Sequence, residues 1–317
     1  MKKERLLIIG ASSFLGGALV PLLIKKNNYE LVLTCRKEGG CAAWKESGNV
    51  DVEYADLLDF DEWDKIFGKY NPGKVILLAA VSRFADGEKN PSLTIDVNFW
   101  GVLNIINLCK KYSANTFLFT SSDLARDAIS TVGITKYLIE RIIIGNRDKK
   151  LRMTGIRVAN LIDSKGSVTL IFKRQIDEGK ELTVTHPDMS RRFNTRREAA
   201  LDLIWLLEHG KESSIYVVNK PPVKIVDLAV KMIKEANKNS GIRFTGAKPG
   251  EKFNEPSYEE EYVVKPVKGR EIALFDRSNY KNENTADFID RLNVGNDEKR
   301  ELLKALGQLL LPMQNDT

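Results

Sequence analysis

With 317 residues, 43% of them hydrophobic and 29% charged, the chain has an ordinary globular composition and enough length for one large core or two smaller ones. Its 49 basic and 43 acidic residues leave a formal charge of +6, scattered in runs as short as Lys149-Lys150 and Arg191-Arg192; that suits anionic small ligands and excludes a basic nucleic-acid stripe. Cys35, Cys41 and Cys109 are odd in number and lack metal-ligand spacing, so no disulfide framework and no metal site is indicated, and the expected location is cytoplasmic.

The first apolar run, residues 5–9, is interrupted by Gly10, Ser12, Ser13, Gly16 and Gly17. That falls well short of the ~18 apolar residues a membrane span requires. No small-residue cleavage site follows, so the segment reads as strand, turn and helix, neither an anchor nor a signal peptide. Further strands are expected at 30–34, 50–54, 74–79, 116–120 and 153–158, and runs such as Val75-Ile76-Leu77-Leu78 do not alternate. Such runs belong to strands covered on both faces, hence parallel ones. Helical patterns at 14–26, 60–69, 93–112 and 133–146 lie between them, with Pro21 expected to kink the first. The repetition is βαβ, and the fold class is α/β: a doubly wound parallel sheet of the Rossmann kind with a smaller C-terminal substrate lobe.

After about residue 160 the units shorten to a helix at 168–178, a strand at 182–185 and helices at 196–208 and 224–238. Ser214-Ile215-Tyr216-Val217-Val218 is expected to return to the main sheet, and residues 298–311 to form a terminal helix. The expected division is a dinucleotide-binding domain over 1–160 with a return segment near 194–222, and a lobe made mainly of 161–317.

Gly10-Ala11-Ser12-Ser13-Phe14-Leu15-Gly16 follows the first strand and opens the first helix, where a glycine loop presents backbone N–H groups and a helix N-terminus to a pyrophosphate. Ser13 stands at the loop's middle position, where its side chain either crowds the phosphates or binds them through the hydroxyl. The second strand ends Thr34-Cys35-Arg36-Lys37, with no carboxylate to take the free ribose of NAD, so the cations favour the 2′-phosphate of NADP. Asp56 and Leu57 beyond the third strand, and Ala79 and Ala80 at the end of the fourth, complete the expected cofactor contacts.

Several segments then carry a specific resemblance. Asp96-Val97-Asn98-Phe99-Trp100-Gly101 is similar to the NxxG helix segment of extended short-chain dehydrogenases, and Arg157-Val158-Ala159-Asn160 with Gly166-Ser167-Val168 is similar to their RxGN…GSV pattern. Thr183-Val184-Thr185-His186-Pro187, Ser190-Arg191-Arg192-Phe193-Asn194-Thr195, the run 223–229 and Pro249-Gly250-Glu251-Lys252-Phe253 follow in order. Together they resemble the polysaccharide-biosynthesis (CapD-like) branch, which includes UDP-N-acetylglucosamine 4,6-dehydratases and 5-epimerases. The resemblance implies an NAD(P)-linked nucleotide-sugar enzyme of surface-polysaccharide synthesis and a homodimer. It also implies that Asn160, Val168, Lys173, Arg191 and Glu251 hold a UDP-sugar. An arginine suits a diphosphate because its fork donates two parallel hydrogen bonds.

The resemblance also shows what is missing. Such enzymes oxidise a sugar hydroxyl through a Tyr-x-x-x-Lys pair; here Lys136 is present, but Val132 occupies the tyrosine position. Some members use a Thr-Asp-Lys run after the fifth strand, matched here by Ser122, Asp123 and Leu124, so that lysine is absent too. The remaining catalytic candidates are Ser121, Asp123 and Lys136. Lys136 also belongs to the expected cofactor set. Arg126 is a possible helper, whereas Tyr137, ~100° further round the helix, points away. The alternative reading is an inactive nucleotide or sugar-nucleotide binder that partners an active paralogue. Two further expectations follow: self-association through the helices at 93–112 and 133–146, whose Ile134, Leu138, Ile142, Ile143 and Ile144 spread over more than one face, and partial recovery of activity in Leu124→Lys with Val132→Tyr.

Overall fold

The structure is a computed structural model, and it describes residues 3–126, 130–246, 253 and 264–275. Glu251, most of the 249–253 motif and the expected helix at 298–311 therefore lie outside the described residues.

In chain order the first half contains β1 (Glu4–Ile9), α1 (Gly16–Lys26), β2 (Tyr29–Cys35), β3 (Val50–Tyr54), α2 (Phe60–Tyr70) and β4 (Lys74–Leu77). It continues with α3 (Phe84–Lys89), α4 (Pro91–Ile95), α5 (Val102–Lys111), β5 (Thr116–Ser122), α6 (Thr131–Gly145) and β6 (Arg152–Val158). The second half adds β7 (Asn160–Leu161), α7 (Val168–Asp177), β8 (Leu182–Val184), β9 (Ser190–Arg191), β10 (Phe193–Asn194), α8 (Arg196–His209) and β11 (Ser214–Val218). Last come β12 (Val223–Lys224), α9 (Ile225–Glu235), β13 (Ile242–Phe244), β14 (Val264–Pro266) and β15 (Ile272–Phe275).

Nine strands form one sheet in the order β14-β15-β11-β6-β5-β4-β1-β2-β3. It is parallel from β3 to β11, and only β15 and β14 run antiparallel at one edge. The apolar runs without alternation sit here because both faces are covered. One face buries Leu7, Ile9, Val75, Leu77, Phe117 and Phe119 under α2, α5 and α6, and the other buries Leu6, Ile8, Leu31, Leu33 and Ile76 under α1 and α8. At about 1.5–3 kcal/mol for each large apolar side chain fully buried, these two layers supply the main driving force for the fold. The run Ser214–Val218 does return to this sheet, beside β6. Helix α8, opened by a Thr195/Glu198 capping box, packs on α1. A third cluster of Phe172, Ile176, Leu182, Val184, Met189, Ile225 and Ala229 holds α7, β8 and α9 together.

Three local features depart from the sequence pattern. Helix α1 runs unbroken through Pro21. The single helix expected at 93–112 is interrupted by a π-helical turn over Asp96–Gly101 between α4 and α5. The whole stretch Pro91–Lys111 is long and apolar enough to cross a membrane, yet most of it is buried inside the protein, as in a core helix. Finally, α6 has no apolar face to spare: Ile134, Leu138, Ile142, Ile143 and Ile144 are all at most 8% exposed within the single chain. These isoleucines therefore leave no uncovered face for self-association, because the chain itself encloses the helix.

Candidate cofactor and catalytic site

The loop between β1 and α1 is shaped by two glycines that admit no side chain. Gly10 has φ +82, and a Cβ on it would stand 2.7 Å from the backbone nitrogen of Ala79 at the end of β4. A Cβ on Gly16 would fall against the carbonyl of Ala11. Between them the Ser13 N–H donates to the Gly10 carbonyl at 2.9 Å, and the Ser13 hydroxyl accepts from the Gly16 N–H at 3.1 Å. Ser13 thus satisfies one amide of the helix N-terminus and keeps its own O–H to donate. Ser12 is exposed, and Phe14 lies under the guanidinium of Arg196, 5.3 Å from its ring. Arg196 is a cation beside the loop that the sequence did not single out; its place comes only from α8 packing on α1.

The residues expected at an adenosine end lie at the strand ends. Arg36 and Lys37 are exposed just beyond β2. Asp56 accepts from the Leu58 N–H at 3.0 Å and its carbonyl accepts from the Trp63 indole at 2.8 Å, while Leu57 is buried. Ala79 and Ala80 are half-buried past β4. The π-helical turn explains its own motif: Asn98 grips the backbone of Val81 with two bonds of 2.8 Å, and Gly101 is bare because a Cβ would stand 2.8 Å from Leu57. Both contacts fix the loops that follow β3 and β4. A backbone cradle that a Cβ would fill, at a helix N-terminus beside the ends of parallel strands, fits a dinucleotide pyrophosphate.

At the end of β5 the catalytic candidates separate. The Ser121 hydroxyl donates to Glu140 at 2.5 Å, and Arg157 clamps the same carboxylate with Nη2 at 2.8 Å and Nε at 3.0 and 3.2 Å. Both charged side chains are at most 1% exposed. A buried pair of this kind stands only because each charge has its partner. Asp123 is 5% exposed in the turn that follows, where the Ser122 hydroxyl accepts from the Leu124 N–H at 3.3 Å. Ser121 therefore lies within the Glu140–Arg157 network, and the half-buried Ser122 is the hydroxyl nearer the surface. Glu140 was legible in principle: it follows Lys136 by four residues and so shares its helix face.

Lys136 is 4% exposed, donates from Nζ to the Thr120 carbonyl at 2.7 Å and sits 4.5 Å over the Phe119 ring. Burial pulls its ammonium down to about 7, against the opposing pull of the Glu140 charge. Tyr137 is buried in the core layer, away from this site. Val132 is 0% exposed and is covered by α3: Gly87 packs so closely on it that any Cβ there would collide with Val132 Cγ2. The carboxylate of Glu88 accepts from the Thr131 N–H at 2.7 Å and fastens α3 to the start of α6. A tyrosine restored at position 132 would have to be accommodated beside Gly87.

The residues expected around a UDP-sugar fall on the second half. Asn160 pairs with the Arg192 carbonyl through both its N–H, at 3.1 Å, and its side chain, at 3.3 Å. Arg191, on β9, donates to the carbonyls of Ser190 and Phe253 at 2.8 and 3.1 Å. Val168 begins α7, and Lys173 is exposed on it.

The sequence of residues 6–276 matches that of the polysaccharide biosynthesis protein family. The chain belongs to that family. Among family relatives it is 35% identical to the probable polysaccharide biosynthesis protein EpsC of Bacillus subtilis over 64% of its length, and 27% identical to the capsular polysaccharide biosynthesis protein CapD of Staphylococcus aureus over 96%. It spans only 35% and 53% of those two proteins. The fold is shared with Pen from Bacillus thuringiensis, at TM-score 0.79 and 23% identity over 95% of this chain and 97% of that one. It is shared also with a UDP-N-acetylglucosamine 4-epimerase from Methanobrevibacter ruminantium in complex with UDP-N-acetylmuramic acid, at TM-score 0.69 and 17% identity over 97% and 98%.

Proposed function

We propose that this member of the polysaccharide biosynthesis family is a cytoplasmic nucleotide-sugar enzyme of the epimerase, dehydratase or reductase type that takes NADP and a UDP-sugar. The observation that carries the reading is Lys136: a buried amine held at about 7, at the C-terminal end of the central strands, on the chain that also builds a dinucleotide loop. Gly10, Ser13, Gly16 and Arg196 hold the diphosphate, Arg36 and Lys37 the 2′-phosphate, and Asp56 and Leu57 line the adenine end. The nicotinamide, when bound, supplies a hydride acceptor. The chain's part is the proton: the neutral Lys136 amine accepts it from the sugar hydroxyl as the C–H bond breaks, and the Glu140–Arg157 pair holds the strand end and the helix in register. Asp123 and Ser122 border the reacting hydroxyl, while Asn160, Val168, Lys173, Arg191 and Glu251 take the UDP portion. A homodimer is the assembly that the family resemblance supports.

The test incubates the protein with NADP and UDP-N-acetylglucosamine and follows the sugar by NMR. A 4-keto product, lost in Lys136→Met, supports the reading, and its absence with both ligands bound refutes the chemistry. A second reading, binding without turnover, is favoured by one observation: α3 closes over Val132. Under it both ligands bind by calorimetry and no product forms at any pH.

A further inference from the structure

Two of the three cysteines meet beside the dinucleotide loop. Cys35 is the last residue of β2, and Cys41 follows the turn formed by residues 36–40. The Cys35 thiol donates to the Lys37 carbonyl at 3.3 Å, where the Gly40 N–H also bonds at 3.1 Å, so the turn folds back on the strand end. Gly39 takes φ +83, and a Cβ on Gly40 would stand 3.1 Å from Cys35 Sγ and 3.3 Å from Ser12 Cβ. Residue 40 is thereby seated against the Cys35 sulfur, which brings the adjoining Cys41 to the same place, and burial together with the neighbouring Cys35 thiol raises the Cys41 thiol above its ordinary value. Both are buried, at 3% and 1%, whereas residues 36–40 between them are all exposed. Cys109 lies in the core layer on the opposite face of the sheet and cannot compete for either.

We propose that Cys35 and Cys41 form a reversible disulfide that locks the 36–40 turn and couples binding at the adenosine end to thiol redox state. Cysteine number and spacing gave no reason to pair them; the turn does. The oxidant is a small disulfide such as glutathione disulfide. A thiolate of the pair attacks one of its sulfurs and releases one thiol, and the second cysteine then displaces the other, so two electrons and two protons pass to the oxidant and one S–S bond forms in the protein. Burial pushes the Cys41 thiol up to about 12, so exchange is slow on the closed turn and proceeds as the exposed, glycine-bearing turn opens. Once the bond forms, Cys35 no longer donates to the Lys37 carbonyl, and Arg36 and Lys37 are held within the ring. Reduction by a thiol reverses every step.

The link itself is independent of the proposed function, whereas its consequence for the cofactor rests on that reading. The full chain is equilibrated in glutathione mixtures of graded potential, trapped by alkylation under denaturing conditions, digested and analysed by mass spectrometry. A Cys35–Cys41 cross-linked peptide with Cys109 alkylated is expected, and Cys35→Ser removes it. Alkylation of both cysteines across the whole series overturns the link. NADP titration then compares the oxidised and reduced wild type with Cys41→Ser. Binding about tenfold weaker after oxidation in the wild type alone, a loss of about one charge-assisted phosphate contact, is the expected result. Equal affinity with the cross-link present overturns the coupling, and a failure of either form to bind any dinucleotide refutes the cofactor reading and leaves the link to the mass spectrum.

Discussion

Replacing Lys136 with methionine separates stability from function at the site. In the native protein the ammonium sits at about 7 against 10.5 for an ordinary lysine, because burial disfavours its charge. At pH 7 the unfolded chain is fully protonated here and the folded chain about half so. The difference of 3.5 between those two values corresponds to a destabilisation of about 4–5 kcal/mol. Methionine has nearly the same length and no charge. It forfeits the bond to the Thr120 carbonyl, about 1 kcal/mol, and the contact with the Phe119 ring, about 1 kcal/mol more. Lys136→Met is therefore expected to raise stability by about 2–3 kcal/mol at pH 7 while it abolishes turnover. Because the folded-state value is depressed, the penalty is complete below about 7 and fades as pH rises toward 10.5, where the unfolded chain also loses its proton. Wild-type stability should thus gain about 1.4 kcal/mol per pH unit on the variant across that window. Urea denaturation followed by circular dichroism at pH 7 and pH 9 reads both quantities. A gap that stays constant with pH, or a variant less stable than the wild type at pH 7, would refute the reasoning.

Four further outcomes are expected. Glu140→Ala removes the carboxylate that pairs with the buried Arg157 and should cost about 3–5 kcal/mol in the same denaturation assay, with Glu140→Gln intermediate; a cost under 1 kcal/mol would contradict the burial of the pair. Val132→Tyr should lower stability by about 1–3 kcal/mol or more by overpacking against Gly87 and should not create activity, alone or with Leu124→Lys, as thermal melting and product NMR would show. Arg36→Asp with Lys37→Ala should invert the preference from NADP to NAD in calorimetric titration; an unchanged ratio would remove the 2′-phosphate assignment. Turnover, where present, should rise with pH through about 7, since the neutral amine of Lys136 is the acceptor.

The βαβ rhythm and the dinucleotide loop were legible because their causes are local. Unalternating apolar runs fit only strands covered on both faces, and Gly10 and Gly16 flank a tight strand-to-helix turn, with Gly10 at φ +82. Even the return of Ser214–Val218 to the sheet could be read from its own composition. That Val132 stands four residues before Lys136, where the resemblance places a tyrosine, was likewise legible in the sequence. The consequences of that spacing required the fold. That Gly87 seals position 132, that Ser121 lies on Glu140 and Arg157, and that Arg196 reaches Phe14 each depend on residues far apart in the chain. The isoleucines of α6 looked like two faces, one of them uncovered, because periodicity counts apolar positions and cannot show how many neighbours will enclose them. The π-helical turn at Asn98 escaped the pattern for a related reason: its two bonds to Val81 are tertiary, and a 3.6-residue period contains no trace of them. Residue order fixes which side chains are available and at what local spacing, whereas the burial that moves the Lys136 proton affinity and brings Cys35 to Cys41 exists only once the layers have closed.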